Sequence, residues 1–302
     1  MLGQGGEVGA PIIAASLFIV PSQVFATMPS DQRVMHFDWL QPQLGSGCQA
    51  LFSTRAGGVS EGAYAHLNLG DHVGDELAAV QTNRRRFEAA LGSPAVWLRQ
   101  VHGHQVVRLG GGVYVDASPP IEADGAISAD PGVACVVMVA DCLPILLAAP
   151  EGRGVGALHA GWRGLAGAGS MGGRGIVDTG VPALCELAGC DPADLHAWLG
   201  PCIGPKAFEV GGEVLEAFGA APTSSPLELP AWCRPSNLRA EPSEPPRWLV
   251  DLQAVARLRL QACGVHQIGQ QPDCTVSAPG RYFSFRRDGV TGRMAAGIVC
   301  RA

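Results

Sequence analysis

The sequence predicts a single domain of α/β type, with strands and helices interspersed along the chain. Three observations carry this. Hydrophobic residues make up 47% of the 302 positions and charged residues 16%, enough apolar material for a sizeable core and too little charge for a disordered chain. Short apolar runs alternate with segments of helical spacing. Glycine, 41 in number, punctuates the boundaries between them. No internal repeat or long linker interrupts the pattern, so residues 35–302 read as one domain.

Each element follows from its local residues. "ALFSTRAGG" (50–58) reads as a strand entering a glycine turn. In "DELAAVQTNRRRFEAALG" (75–92), Leu77, Val80, Phe87 and Leu91 recur at helical spacing and Gly92 is the C-cap. "AVWLRQVHGHQVVRL" (95–109) is two short strands around a His-Gly-His turn. "GVACVVMVADCLPILLAA" (132–149) is two buried strands or one bent strand, with Pro144 ending or bending the ladder, and "GVGALHAGW" (154–162) is a strand closing on a glycine turn. "VPALCELAG" (181–189) is helical with Pro182 in its first turn. "DLHAWLGP" (194–201) is a strand and "GGEVLEAFGA" (211–220) a helix. The Pro- and Ser-rich segment 221–247 is a loop. "LVDLQAVARLRLQACG" (249–264) is a helix stopped by Gly264, and "RYFSFRR" (281–287) and "MAAGIVC" (294–300) are the last strands.

Composition excludes several function classes. The net charge is −6, and the basic clusters "NRRRF" (83–87) and "FRRDG" (285–289) are short, so neither nucleic acid nor a membrane surface is the expected partner. The apolar run at 10–20 is far shorter than a membrane span, and residues 1–10 carry no lysine or arginine to start a secretory signal. Residues 1–34 are therefore expected to be a disordered or mis-started leader. The ten cysteines contain no C-x-x-C and no zinc-ribbon spacing, which fits reduced thiols in the cytoplasm.

Five patterns bear on chemistry. His102 in "QVHGH", Cys142 in "ADCLP" and His159 in "LHAGWRG" each fall at the end of an apolar strand, where side chains can converge on a cleft. Two imidazoles and a thiolate form a set that suits zinc or copper and leaves a fourth position open. The same atoms allow a different use, with Cys142 as nucleophile, a histidine as base and Asp141 orienting it or moving a proton. "GAGSMG" (167–172) matches G-x-G-x-x-G, but "HAGWRGLA" separates it from the preceding strand, which weakens a dinucleotide reading. Arg55, Arg163 and Arg286 sit at strand ends or glycine turns, where guanidinium forks can hold phosphate or carboxylate. "HGH" (102–104) is the only H-x-H among eight histidines, too little for a trinuclear copper cluster of the multicopper type.

Longer blocks carry a resemblance. "FSTRAGGVSEGAYAHLNLGDHVGD" (52–75), "WLRQVHG" (97–103), "ADCLPILL" (140–147), "HAGWRGLA" (159–166), "LGPCIGPKAFEVGGEV" (199–214), "DLQAVARLRLQACGV" (251–265) and "FSFRRDGVTGRMAAGI" (283–298) resemble, in order, the YfiH family, also called the polyphenol oxidase or laccase-domain family. The resemblance implies an α+β fold, a layered α/β sandwich with mixed sheets similar to the catalytic domain of cytotoxic necrotizing factor toxins. It implies zinc held by His102, Cys142 and His159, with copper as the alternative metal. The implied reactions are phosphorolysis of adenosine, inosine and 5′-methylthioadenosine, and deamination of adenosine. Copper-dependent phenol oxidation, and a Cys-His hydrolase or amidase role that includes peptidoglycan-precursor editing, are the alternatives. Nucleoside and phosphate are then the small-molecule partners, with Arg55, Asn68, Arg163 and Arg286 as candidates to hold them and Asp141 as the proton carrier. Two departures stand out. "GLAGAGSMGGRGIVDTG" (164–180) is richer in glycine than the helix expected there, and His66 stands where the family commonly has serine.

Overall fold

Pairs of buried strands that switch sheets set the architecture. The computed structural model describes residues 38–110, 119–223, 225–237 and 245–301. These give β1 (Cys48–Phe52), α1 (Leu77–Leu91), β2 (Ala95–Val96), β3 (Val106–Leu109), β4 (Gly125–Ser128), β5 (Ala134–Val139) and β6 (Leu143–Ala148). There follow β7 (Val155–Ala160), α2 (Trp162–Ala166), α3 (Ile176–Ala188), β8 (His196–Leu199), β9 (Glu209–Val210) and α4 (Gly212–Ala217). The chain continues through β10 (Cys233–Pro235), β11 (Trp248–Val250), α5 (Leu252–Ala262), β12 (Gln267–Gln270), α6 (Phe285–Asp288) and β13 (Met294–Cys300). All of them lie in one compact unit, His36–Ala302. The leader expected over 1–34 lies outside the described residues.

Two mixed sheets and a small third one result. One has the order β1-β13-β5-β2, the second β12-β8-β6-β7-β4-β3, and the small one β10-β11-β9. In the four-stranded sheet β2 runs parallel to β5 and the other pairs are antiparallel. In the six-stranded sheet β12–β8 and β3–β4 are parallel and the rest antiparallel.

The two-residue period of a strand builds the layers. In β5 and β13, Cys135, Val137, Met294, Ala296 and Ile298 face the six-stranded sheet and meet Leu146, Ala148, Val155 and Ala157. Their neighbours Ala134, Val136, Ala295 and Val299 point the other way, onto Phe87 and Leu91 of α1. In β6 and β7, Leu143, Ile145, Leu147, Leu158 and Ala160 turn from the sheet–sheet core to pack on α3 and α5 through Val177, Val181, Leu184, Val255 and Leu260. The order is helix, sheet, sheet, helices: a layered mixed α/β fold. Strands buried on both faces read as unbroken apolar runs, which is why 132–149 looks like one long hydrophobic segment.

Several local expectations change. Residues 132–149 are two buried strands, the first of the two readings, and they belong to different sheets. Pro144 does not end the ladder; it is the second residue of β6, opposite His159. The helix expected over 181–189 begins earlier, at Ile176, because the Asp178 carboxylate accepts the Gly175 N–H at 2.7 Å and closes its first turn. Pro182 is therefore interior, not in the first turn. "RYFSFRR" is not a strand. Tyr282 and Phe283 are core residues, and Ser284 caps α6 by accepting the Arg287 N–H at 3.2 Å. The segment 221–247 contributes the edge strand β10, and the strands β4, β9 and β12 carried no recognised pattern. "GAGSMG" spans the turn between α2 and α3, away from any strand end, so the geometry of a dinucleotide loop is absent there.

Leu146 is fully buried where the sheets meet. Leu146→Ala is expected to cost about 2–5 kcal/mol of stability, read as a lower urea midpoint with unchanged slope. A loss under about 1 kcal/mol would mean that Leu146 is not tightly packed between the two sheets.

Candidate metal centre

Both crossings from the four-stranded to the six-stranded sheet deliver a candidate ligand. The connection from β2 to β3 carries His102, and the tight turn from β5 to β6 carries Cys142. His159 is the penultimate residue of β7, which pairs with β6 along its length. The ligand atoms of His102, Cys142 and His159 all lie within 4.8 Å of one another. Cys142 Sγ is 3.7 Å from His102 Nε2, and the two imidazole rings meet edge-on at 4.8 Å between centroids. Among the described residues this is the one group of three or more His, Cys, Asp or Glu side chains so converged. Gly161 is required by this closeness: a Cβ there would sit 3.0 Å from His102 Cδ2 and 3.1 Å from Cys142 Sγ.

Asp124, which no pattern in the sequence singled out, organises the triad. It is fully buried and immediately precedes β4. Its carboxylate accepts the backbone N–H groups of Val101, His102 and Gly103 at 3.2, 2.8 and 2.7 Å. It also accepts Nδ1–H of His159 at 2.8 Å, while its carbonyl accepts the His159 backbone N–H at 2.7 Å. One carboxylate therefore fixes the loop bearing the first ligand and the ring of the third. With Nδ1 committed, His159 presents Nε2 to the centre, the arrangement of a carboxylate–histidine–metal relay. His102 itself adopts φ 61°, and Asp141 φ 93°. Left-handed backbone at non-glycine residues is strained and persists where surrounding contacts over-determine it.

The electrostatics suit a metal ligand set. Burial opposes ionisation of Cys142, but the charge of His159 and hydrogen bonds from both imidazoles overcome it and bring the thiol down to about 6. Burial likewise opposes charge on His159, but the Cys142 thiolate and Asp124 hold its pKa up at about 9. Burial would raise the Asp124 carboxyl, yet the His159 hydrogen bond and charge and the loop N–H groups keep it below the usual range. At neutral pH the metal-free centre is thus a thiolate–imidazolium pair, and its donor chemistry fits zinc or copper.

The triad lines a cleft of about 380 Å³, the size of a small-molecule site. Met138, Ile203, Phe208, Leu252, Trp162 and Phe285 make its apolar walls. Phe285 is 59% exposed, an aromatic face held open at the mouth. Arg163, Arg286, Arg293 and His72 add positive or protonatable groups.

The structure brings some expected residues to this cleft and not others. Arg163 lines it, its guanidinium 4.4 Å from the Trp162 ring centre. Arg286 lines it too, with Nη1 donating to Ala207 O and Glu209 O. Arg55 does not line it. Its guanidinium donates to Ala65 O and Pro279 O and lies over the Phe283 ring. Asn68 is fully buried, its amide spent on Gly70, Asp75 and the backbone N–H of Arg293. His66 is likewise not among the lining residues. Asp141 lines the cleft, but one oxygen accepts Thr275 Oγ1–H at 2.5 Å and the other the Arg286 backbone N–H at 2.6 Å. Asp124 left one trace in the sequence, a lone acid in the small-residue run "ADGAIS" entering a strand.

Residues 49–301 match the family model described as multi-copper polyphenol oxidoreductase laccase. The chain is 42% identical over 262 residues to a protein of Escherichia coli named purine nucleoside phosphorylase YfiH, covering 86% of this chain and 96% of that one. It is also 42% identical, over 86% of its length, to a purine nucleoside phosphorylase of Pseudomonas aeruginosa, of which it covers 95%. Among solved structures it resembles YlmD of Geobacillus stearothermophilus, with a TM-score of 0.74, 33% identity and coverage of 87% and 96% of the two chains. No helix of the described residues is long and apolar enough to cross a membrane.

Two expectations follow from the centre. Metal loading between pH 7 and 8 should release one proton per site, from His159 Nε2, because Cys142 is already ionised above about 6 and His159 stays protonated up to about 9. Apparent affinity should accordingly fall about ten-fold for each pH unit lowered across that window, measured with a competing chelator. Asp124→Asn should weaken metal binding by about 10- to 100-fold, since the amide cannot accept all four donors.

Proposed function

Because the chain belongs to the multi-copper polyphenol oxidoreductase laccase family, also called the YfiH family, we propose that it is a zinc-dependent purine nucleoside phosphorylase with adenosine deaminase activity. The observation that carries this is the converged His102–Cys142–His159 triad, lining a cleft together with aromatic residues and arginines. Proteins named purine nucleoside phosphorylase are 42% identical to it over the 86% of the chain that aligns.

Zinc held by these three side chains would supply Lewis acidity at its free fourth position. The chain's own residues supply placement. Phe285 and Phe208 offer flat apolar faces on which a purine can lie, and Trp162 closes the wall. Arg163 and Arg286 bring positive charge to phosphate. In phosphorolysis a phosphate oxygen bonds to ribose C1′ as the C1′–N9 bond breaks. The departing base takes the electron pair and then a proton. Asp141 acts in this scheme first by position. Its two oxygens tether Thr275 and the Arg286 backbone, and so hold the Phe285–Arg286 segment over the triad.

A second reading has its own observation. Cys142, His159 and Asp124 also line up as nucleophile, base and orienting acid. A third use of the centre, oxidation of phenols with copper in the same ligands, follows from the family description.

One assay series separates them. The zinc-loaded protein should release free base from inosine or adenosine only when phosphate is present, and convert adenosine to inosine without it. Loss of both products in the zinc-loaded form would sink the purine reading. Activity that survives chelation and is trapped covalently at Cys142 would favour the thiol enzyme, and oxygen uptake scaling with copper the phenol oxidase. Cys142→Ser should lower bound metal from about one ion per chain towards none, and turnover with it. Full retention of zinc would refute the ligand set.

A further inference from the structure

Arg293 is a cleft arginine whose stem and backbone are locked and whose guanidinium makes no ion pair with a carboxylate among the described residues, the Cys142 and Asp141 charges acting on it only through space. Its backbone N–H donates to Asn68 Oδ1 at 2.8 Å, and its carbonyl accepts the Leu69 N–H at 3.1 Å. Its stem runs against Gly70, where a Cβ would come within 2.7 Å of Arg293 Cγ, so this glycine makes room for the side chain. Nη1 donates to Thr291 O and Gly292 O at 3.0 and 3.1 Å, both neutral carbonyls of the adjoining chain. No hydrogen bond from Nε or Nη2 and no carboxylate within ion-pair distance is found among the described residues.

Three other partly buried arginines have a carboxylate partner, whereas Arg55 spends its donors on backbone carbonyls. Arg84 meets Asp71 at 3.0 Å, Arg281 meets Asp273 at 2.8 Å, and Arg287 meets Asp288 at 2.7 Å. Arg293 instead lines the metal cleft without a carboxylate in contact; burial works against its charge, and the negative charges of Cys142 and Asp141 offset this only in part. A partly desolvated guanidinium with free donors is costly unless an anion completes it. The cleft as a whole has the same bias. Three arginines line it against one carboxylate, Asp141, whose oxygens are already engaged, and the Cys142 thiolate is matched by His159.

We propose that Arg293 anchors a tetrahedral oxyanion, and that this anion is the inorganic phosphate consumed in phosphorolysis. The identification as co-substrate rests on the phosphorylase reading; the anion site itself does not. Nε and Nη2 form the free side of the guanidinium fork, the geometry that takes two oxygens of one phosphate. Asn68 then acts at one remove, by holding the Arg293 backbone, as a positioning residue.

The test uses the zinc-loaded full chain with Arg293→Gln and Arg293→Lys, each checked for zinc content and melting temperature. In wild type, the KM for inorganic phosphate is measured at saturating inosine, and binding of radiolabelled phosphate by equilibrium dialysis. Arg293→Gln should raise the phosphate KM by about ten- to a hundred-fold, with the inosine KM changed less than about two-fold. Arg293→Lys should recover part of the loss, because it restores the charge but not the fork. An unchanged phosphate KM in Arg293→Gln would overturn the proposal. So would a rise confined to the inosine KM, or weakened binding of inosine 5′-monophosphate with inorganic phosphate unaffected. If wild type shows no phosphate-dependent cleavage yet binds labelled phosphate in a way that Arg293→Gln abolishes, the phosphorylase reading fails and the anion site stands.

Discussion

The buried carboxylate of Asp124 is the constraint on which the centre depends. His102 comes from the β2–β3 connection and His159 from strand β7, and neither strand geometry nor core packing alone would bring their rings together. Asp124 accepts three successive backbone N–H groups around His102 and the ring N–H of His159, so one rigid acceptor sets both. A buried carboxylate is expensive unless it is fully hydrogen-bonded. Here the satisfaction of the acid and the placement of the ligands are the same set of contacts. The strained φ of His102 follows from them, since the 101–103 loop must curl to point its N–H groups at one carboxylate.

The sheets supply the frame. Because β2–β3 and β5–β6 both leave the four-stranded sheet for the six-stranded one, their connections lie at the seam between layers, where a side chain can be dry beneath and open above. The tightness of the β5–β6 turn explains the puzzle of an acid, a thiol and a proline inside an apolar run. Asp141 takes the left-handed turn conformation, Cys142 points into the centre, and Pro144 enters the new strand opposite His159. The run looks unbroken because each half is buried on both faces in a different sheet.

What was legible in the sequence follows from this geometry. Residues whose chemistry is rare in apolar strands, such as Cys142 and His159, stand out against their surroundings. The strand over 294–300 and the cap at Gly92 follow local rules, and both are realised. Asp124 and Arg293 were not legible. An aspartate before a short strand and an arginine after a glycine are common, and only tertiary partners make them unusual. Arg55 stands at a strand end beside glycines, as Arg163 does beside its own, but spends its fork on backbone carbonyls. "RYFSFRR" misled because its aromatic residues serve a core, while Ser284 caps a helix that the apolar pattern does not announce.

The investment in His102 bears on which chemistry the thiolate serves. A cysteine nucleophile needs one base and one orienting acid, and Cys142, His159 and Asp124 already provide them. A second imidazole 3.7 Å from the same sulphur, held in strained backbone by the same carboxylate, is superfluous for that use. For a metal it is the missing donor, because two ligands leave an ion poorly held whereas three leave one position for substrate. The electrostatics fit that use: His159 favours the ionised sulphur, and the sulphur and Asp124 favour the charged imidazole whose Nε2 proton a metal would displace. The surplus arginine charge in the cleft points the same way, towards an anionic reactant brought next to a Lewis-acid site. A neutral peptide or amide would leave that charge unanswered.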